Sequence, residues 1–379
     1  MYTRIYQIKN DIDGSIFLFG ARQTGKSTLL KSQLRGAIII DLLDSRIRRR
    51  FMQHPEALYD MLKNKPEGTI VVIDEIPEVP ELLNEVHRLI SEKGLQFVLC
   101  GSSARKLKRK GYNTLGGRAF PCRFFPLVSA EIPDFDLDRA LVTGMLPMHY
   151  NAKNPQRRLA AYIDVYLKEE IQQEALVRNL NGFQRFLEVA AITNGEIVNY
   201  TNIASDCGLS AVTIKEYFSI LQDSLLGYMI PSYRKTVKRK LVQAPRFYFF
   251  DTGITAYLLG HTTLVAGTPE YGHALESFIV QETMAYIGYN HKKQEISYWH
   301  TYNGNEVDIV IGDAEIAIEI KSSEEIRKSH FSGLNAFREE HPQCKPILVS
   351  RDIISCERNG IECLYVHDFL HQLWSGQIF

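Results

Sequence analysis

The amino-acid sequence predicts an α/β fold. A parallel sheet with helices on both faces comes first, then a helical region and a second, smaller α/β unit. Three observations carry this. Short apolar runs alternate with helical patterns from residue 15 to about 126; a glycine-rich loop joins the first run to the first helix; and the alternation restarts beyond Gly260–Gly272. Alternation of strand and helix implies βαβ units with right-handed crossovers. The predicted strands of the first part are Ile16–Phe19, Ala37–Ile40, Ile70–Ile73 and Phe97–Cys100, with helices beginning near Thr24, Pro55 and Pro80. In the last part a helix over 274–287 precedes strands near 296–302, 307–312 and 315–321, a helix near 330–340 and a strand at 346–350.

The 379 residues suffice for two or three domains. The pattern divides them at 1–150, 151–265 and 266–379. With 45% hydrophobic and 23% charged residues the chain has the composition of a folded globular protein. Its formal net charge is zero, so any nucleic-acid surface must be local. Basic clusters occur at Arg46–Arg50, Arg105–Lys110 and Arg234–Lys240, and the third, beside Tyr233, is the best placed to contact nucleic acid. The six cysteines form no C-x-x-C pair, which points to reduced thiols. The amino terminus lacks a signal-peptide core, and no uncharged apolar stretch reaches bilayer length, so a cytoplasmic protein without membrane spans is expected.

Gly20-Ala21-Arg22-Gln23-Thr24-Gly25-Lys26-Ser27 fits G-x-x-x-x-G-K-[ST], between an apolar strand and the helix opened by Thr28. That context is what a phosphate-binding loop requires. Converging backbone N–H groups and a helix N-terminus favour the anion. Lys26 is expected at the β- and γ-phosphates and Ser27 on Mg²⁺, making ATP and Mg²⁺ the cofactors. Thr69-Ile-Val-Val-Ile-Asp74-Glu75 reads as a buried strand ending in two acids. Asp74 would join the magnesium shell and Glu75 would orient or deprotonate the attacking water. Cys100-Gly-Ser102-Ser103 brings polar groups to the next strand's end, where Ser102 or Ser103 either senses the γ-phosphate or caps a helix.

Residues 202–221 have helix-turn-helix spacing: Ala204 packs in the first helix, Gly208 turns, Ser210 caps the second, and Val212, Ile214 and Leu221 face the core. Tyr233–Phe250 would then be a hairpin wing. The second helix exposes Lys215 and Glu216 but no arginine, asparagine or glutamine for base edges, which argues against a sequence-specific reader. Asp251 reads as a helix cap.

The last part holds a second constellation: Glu276 on its opening helix, Asp308 in one strand, and Glu319 and Lys321 in the next. Two residues apart on a strand, Glu319 and Lys321 share a face. With Asp308 they can bind a divalent metal and activate water for phosphodiester cleavage, or they form a surface pair. A carboxylate inside β-branched strands is costly without a partner, which favours a site.

On these residues, together with Leu115-Gly-Gly-Arg118, Phe125-Pro-Leu127 and Phe250-Asp-Thr-Gly253, the chain resembles prokaryotic AAA-type ATPases that carry a winged helix and a C-terminal PD-(D/E)xK, restriction-endonuclease-like domain. The resemblance implies an α/β P-loop NTPase sheet, then a winged-helix domain and a nuclease-like domain. Such ATPases complete their site with an arginine, often from a neighbouring subunit, and Arg118 is the candidate. A homo-oligomer or a partner protein is therefore expected. Two functions follow. One is an ATP-hydrolysing switch coupled to a metal-dependent nuclease-like domain acting on DNA. The other is a nucleotide-controlled binding module whose third domain is a silent scaffold.

Overall fold

The structure is a computed structural model that describes residues 2–8, 14–102, 117–167, 180–235 and 241–379. The fold class is α/β. Two compact units are present: the first is residues 1–127 with 223–225, the second residues 128–222 with 226–379. Residues 128–150, grouped with the first domain in the sequence, thus belong to the second unit. The helical region and the C-terminal sheet share that same unit.

In the first unit the strands are β1 (Ser15–Phe19), β2 (Ile38–Asp41), β3 (Ile70–Asp74), β4 (Gln96–Gly101) and β5 (Ala119–Arg123), in the order β2-β3-β4-β1-β5. Every pairing is parallel, so the strands' carboxyl ends lie along one edge. The helices are α1 (Lys26–Gln33), α2 (Ser45–Gln53), α3 (Ala57–Leu62) and α4 (Leu82–Lys93). Phe17, Phe19, Val71, Ile73, Phe97 and Leu99 bury one side of the sheet against Phe51, Leu58, Leu62, Val86 and Leu89 of α2, α3 and α4. The intervening residues Ile16, Leu18, Val72 and Val98 are equally buried, so the strands read as continuous apolar runs. β5 was not predicted. It lies at the sheet's edge, where Pro121 is tolerated because no outer neighbour needs its missing N–H.

The second unit begins with α5 (Leu137–Thr143), α6 (Pro147–Tyr150) and α7 (Pro155–Ala160), then α8 (Leu180–Ile192), α9 (Tyr200–Cys207) and α10 (Ala211–Asp223). Gly208 closes α9, and the Ser210 hydroxyl accepts the Thr213 N–H at 3.1 Å, as the sequence suggested. Val212 is not a core residue: it is 77% exposed, whereas Ile214 and Leu221 are buried. An antiparallel pair follows, β6 (Gly227–Ile230) with β7 (Arg246–Phe249). Among the described residues of the predicted wing, 233–250, the named strand is therefore its end, Arg246–Phe249. The described chain between β6 and β7 runs beside β8 (Ile296–His300) instead, with Tyr233 N–H donating to Tyr298 O at 2.6 Å and Val242 N–H to His300 O at 3.0 Å.

Next come α11 (Thr252–Leu258) and α12 (Pro269–Tyr289), which takes in the last residues of the stretch read as a linker. Asp251 caps α11 through Gly253 N–H at 3.0 Å and also accepts the Met145 N–H at 2.6 Å. The remaining elements are β8, β9 (Glu306–Ile311), β10 (Ile316–Ile320), α13 (Ser332–Arg338), β11 (Lys345–Ser350), β12 (Cys356–Arg358), β13 (Ile361–Tyr365) and α14 (Val366–Trp374). They form a six-stranded mixed sheet ordered β12-β13-β11-β10-β9-β8. All of β10 is buried, so both faces are covered there. Trp299, Val310, Ala317, Leu334, Phe337 and Leu348 form one core of this sheet. Among the described residues no helix is long and apolar enough to cross a membrane, and the six cysteines are free.

Candidate functional sites

The phosphate-binding loop sits where β1 hands over to α1, at the carboxyl edge of the parallel sheet. Gly20 is wedged there: its N–H donates to Gly101 O at 3.3 Å, and a Cβ would lie 2.4 Å from Phe124 O. Gly25 takes φ 97° immediately before α1, a left-handed conformation natural to glycine, and Gln23 also has positive φ. The Thr24 hydroxyl donates to Ala21 O at 2.8 Å and tightens the turn. Ala21, Thr24 and Lys26 are buried, Arg22 is half-buried, and Gln23, Ser27 and Thr28 are exposed.

The Lys26 ammonium donates to Gly20 O and, at 3.1 Å, to Ala21 O, curled back within its own loop. Burial lowers its pKa, against the opposing pull of Glu75, Cys100 and Asp74. The Ser27 hydroxyl donates to Asp74 Oδ2 at 3.1 Å. A hydroxyl at the start of α1 and a carboxylate at the end of β3, brought this close, fit the oxygen set of a hard divalent cation. The cradle, the lysine and this oxygen pair therefore suit a magnesium nucleotide.

Glu75 directly follows β3 in a left-handed conformation (φ 57°), uncommon for a side chain of its size. Its Oε2 accepts Ser102 N–H at 3.2 Å and the Ser102 hydroxyl at 3.4 Å. Burial raises its pKa, offset in part by Lys26 and the Ser102 bond. Ser102 thus holds the carboxylate, a role distinct from the two weighed in the sequence. Arg118 lies elsewhere. It precedes Ala119, which pairs with Ser15 at the amino end of β1. A five-residue strand spans roughly 16 Å, so Arg118 is at the opposite edge of the sheet from Gly20. Ser103, the Arg105–Lys110 cluster and Leu115-Gly116 lie outside the described residues, as do residues 236–240 of the third basic cluster.

Arg4 is a residue that sequence reasoning missed. It is buried, donates to Thr24 O at 2.7 Å, to Phe125 O at 2.9 Å and to Pro126 O at 2.8 Å, and stacks 4.2 Å from the Phe124 ring centroid. One guanidinium thereby ties the loop to the chain after β5. A lone arginine near a terminus gives no signal of this in sequence.

The second constellation assembles between α12, β7, β9 and β10. Continuing the antiparallel register of Ile318 with Ile309 sets Glu319 opposite Asp308. Both are buried. Asp308 Oδ2 is committed to the main chain, accepting Ile320 N–H at 2.8 Å. Glu319 Oε1 pairs with Lys321 Nζ at 2.5 Å, as the shared face predicts, while Glu319 Oε2 is buried without a hydrogen-bond partner. Burial pushes the Glu319 carboxyl well up, reinforced by Asp308 and opposed by Lys321.

What stands among the other carboxylates is Arg246, at the start of β7. Its Nη1 is 3.2 Å from Glu276 Oε1 and 3.6 Å from Asp308 Oδ1, and its Nη2 is 2.9 Å from Glu306 Oε2. Tyr248, two residues along the same strand, donates to Glu276 Oε1 at 2.6 Å. Burial, then Asp308, pushes Glu276 up to about 7. Glu276, Asp308 and Glu319 were expected to converge on a metal. Among the described residues no group of three such side chains is arranged to hold one. In the structure a guanidinium supplies positive charge beside Glu276 and Asp308, and lone pairs of the three carboxylates are turned to Arg246, Tyr248, Lys321 and a backbone N–H, while Glu319 Oε2 stays unpartnered. Arg246 did leave a trace in the sequence, as a charge opening the apolar run Phe247–Phe250.

Fold and loop together define the first unit as a P-loop nucleotide-binding domain. Residues 13–132 match the family described as AAA domain, so this is an AAA-type P-loop ATPase domain. Residues 134–264 and 271–367 match two domains of unknown function, DUF8612 and DUF4143. Two uncharacterized proteins, of Mycobacterium bovis and Mycobacterium tuberculosis, are each 22% identical over 316 residues, covering 78% of this chain and 67% of theirs. Among solved structures, the Aeropyrum pernix ORC1 protein in complex with DNA is 14% identical, covering 65% of this chain and 86% of that one at a TM-score of 0.27. A Pyrococcus horikoshii STAND protein with a tetratricopeptide repeat sensor is 11% identical, covering 76% of this chain and 47% of that one at a TM-score of 0.21. Likenesses this loose carry nothing about substrate or partner.

Proposed function

We propose that this protein is an ATP-binding and ATP-hydrolysing switch whose second unit is a nucleotide-controlled binding module for DNA or protein. The observation that carries the first half is the Ser27–Asp74 oxygen pair beside Lys26, at the end of a strand that leads into Glu75. Ser27 and Asp74 would hold Mg²⁺, which when bound withdraws charge from the β- and γ-phosphate oxygens. Lys26 would leave its loop carbonyls for those phosphates, and backbone N–H groups after Gly20, up to Thr28, would donate to the remaining oxygens. Glu75, its proton affinity raised by burial, would take the proton of the attacking water, with Ser102 fixing its orientation. In this reading α8–α10 and the β6–β7 pair form a winged helix and the C-terminal sheet is a restriction-endonuclease-like scaffold, plugged by Arg246.

The test is ATP turnover by the full chain. Wild type should hydrolyse ATP with Mg²⁺, and Lys26→Ala should lose both affinity and turnover. Equal binding by that variant overturns the assignment. A second reading, a metal-dependent nuclease acting on DNA, is favoured by the side-by-side strands of Asp308, Glu319 and Lys321. Cleavage of duplex or single-stranded DNA that disappears in Lys321→Ala would establish it.

A further inference from the structure

Arg246 raises a question that neither reading answers: what its charge does among buried acids. Its side chain is 7% exposed, against 17% for Glu276 and 6% for Asp308. Four carboxylates, Glu276, Glu306, Asp308 and Glu319, share two cations, Arg246 and Lys321. The guanidinium also lies 4.7 Å from the Tyr298 ring centroid, on the strand beside β9, so it is held by stacking as well as by charge. Its Nε is buried without a hydrogen-bond partner, as is Glu319 Oε2. A network built for stability alone would satisfy such groups or replace them with apolar ones.

We propose that Arg246 is the resident cation of this cluster: with β7 in place its guanidinium excludes divalent metal, and a metal site among Glu276, Asp308 and Glu319 exists only when that charge is withdrawn. The two states are mutually exclusive for geometric reasons. A hard divalent cation needs carboxylate oxygens at roughly 2.0–2.6 Å. A guanidinium nitrogen holds them near 3 Å, as here, and places a like charge where the ion would sit. The inference concerns occupancy, not hydrolysis, so a protein that cleaves no DNA leaves it standing.

The probe is Mn²⁺ alone, titrated into the full, nucleotide-free chain and followed by electron paramagnetic resonance. Wild type and Asp308→Asn should bind Mn²⁺ identically. Wild-type binding that Asp308→Asn abolishes overturns the proposal and favours the nuclease reading. Arg246→Gln should gain a Mn²⁺ site at least about tenfold tighter than any in wild type, given the Coulomb energy of a neighbouring charge. Adding Asp308→Asn to it should remove that site, and Arg246→Lys, which keeps the charge, should gain none. A folded Arg246→Gln chain that gains no site overturns the proposal. If Arg246→Gln unfolds, restoration of its circular dichroism by Mn²⁺ supports the proposal, and failure of Mn²⁺ to restore it counts against.

Discussion

Ser102 shows how a single side chain can separate positioning from chemistry. Both its N–H and its hydroxyl converge on one oxygen of Glu75, whose backbone is already held in a left-handed conformation. The N–H survives substitution; the hydroxyl does not. Ser102→Ala should therefore lower kcat of ATP hydrolysis by about ten- to a hundredfold, the worth of a hydrogen bond to a charged group, with KM nearly unchanged. A rise in KM without a fall in kcat would instead place Ser102 on the phosphates. Glu75→Gln is the stronger lesion, with ATP bound but turnover reduced by roughly two to four powers of ten. Normal turnover by Glu75→Gln would remove it from the reaction. Lys26, Ser27, Asp74 and Glu75 were legible in the sequence because their motif fixes backbone geometry. Arg4 and Arg246 were not, because each works through partners far away along the chain.

Among the elements, α12 carries Glu282, which joins three parts of the second unit. Its oxygens accept Ser129 N–H at 2.8 Å, the Ser129 hydroxyl at 2.8 Å and Trp374 Nε1 of α14 at 2.6 Å. Burial nevertheless dominates and pushes the carboxyl from 4.5 up to about 7. The folded state therefore binds the proton more tightly than the unfolded chain. Stability from this group is present below about pH 4.5 and is lost as pH rises through about 7, a span of roughly 3 kcal/mol at most. Glu276 shifts in the same direction. Melting of the second unit should thus fall from pH 5 toward pH 7.5, and Glu282→Gln should flatten that slope even while lowering the melting temperature through a misplaced NH₂. An unchanged slope would show that Glu282 does not titrate there. The elements themselves were largely readable, since buried parallel strands appear as apolar runs. The exceptions include β13 and α14, which no pattern announced, β5, which Pro121 disguised, and the short, mostly exposed β12, which offered no period to detect.

For the molecule as a whole, the sequence indicated an ATPase part followed by a helical and then an α/β part. It did not reveal that the helical region and the C-terminal sheet share one compact unit. That union runs through long-range contacts such as Tyr233 with Tyr298 and Arg246 with Glu306, invisible to local periodicity. Arg118 poses the remaining question at this scale. Standing at the amino end of the parallel sheet, it is separated by a strand's length from the loop of its own chain. It can complete an ATPase site only in another copy. If it does, specific ATPase activity should rise with protein concentration, because the whole site exists only in an assembly. Arg118→Ala alone should be impaired by about tenfold or more, and Lys26→Ala alone should be inactive. Mixed, the two defective chains should show more activity than the sum of the two alone, since one interface then joins an intact loop to an intact arginine. Specific activity independent of concentration, with no recovery on mixing, would remove Arg118 from catalysis and leave it as an exposed residue at the edge of β5.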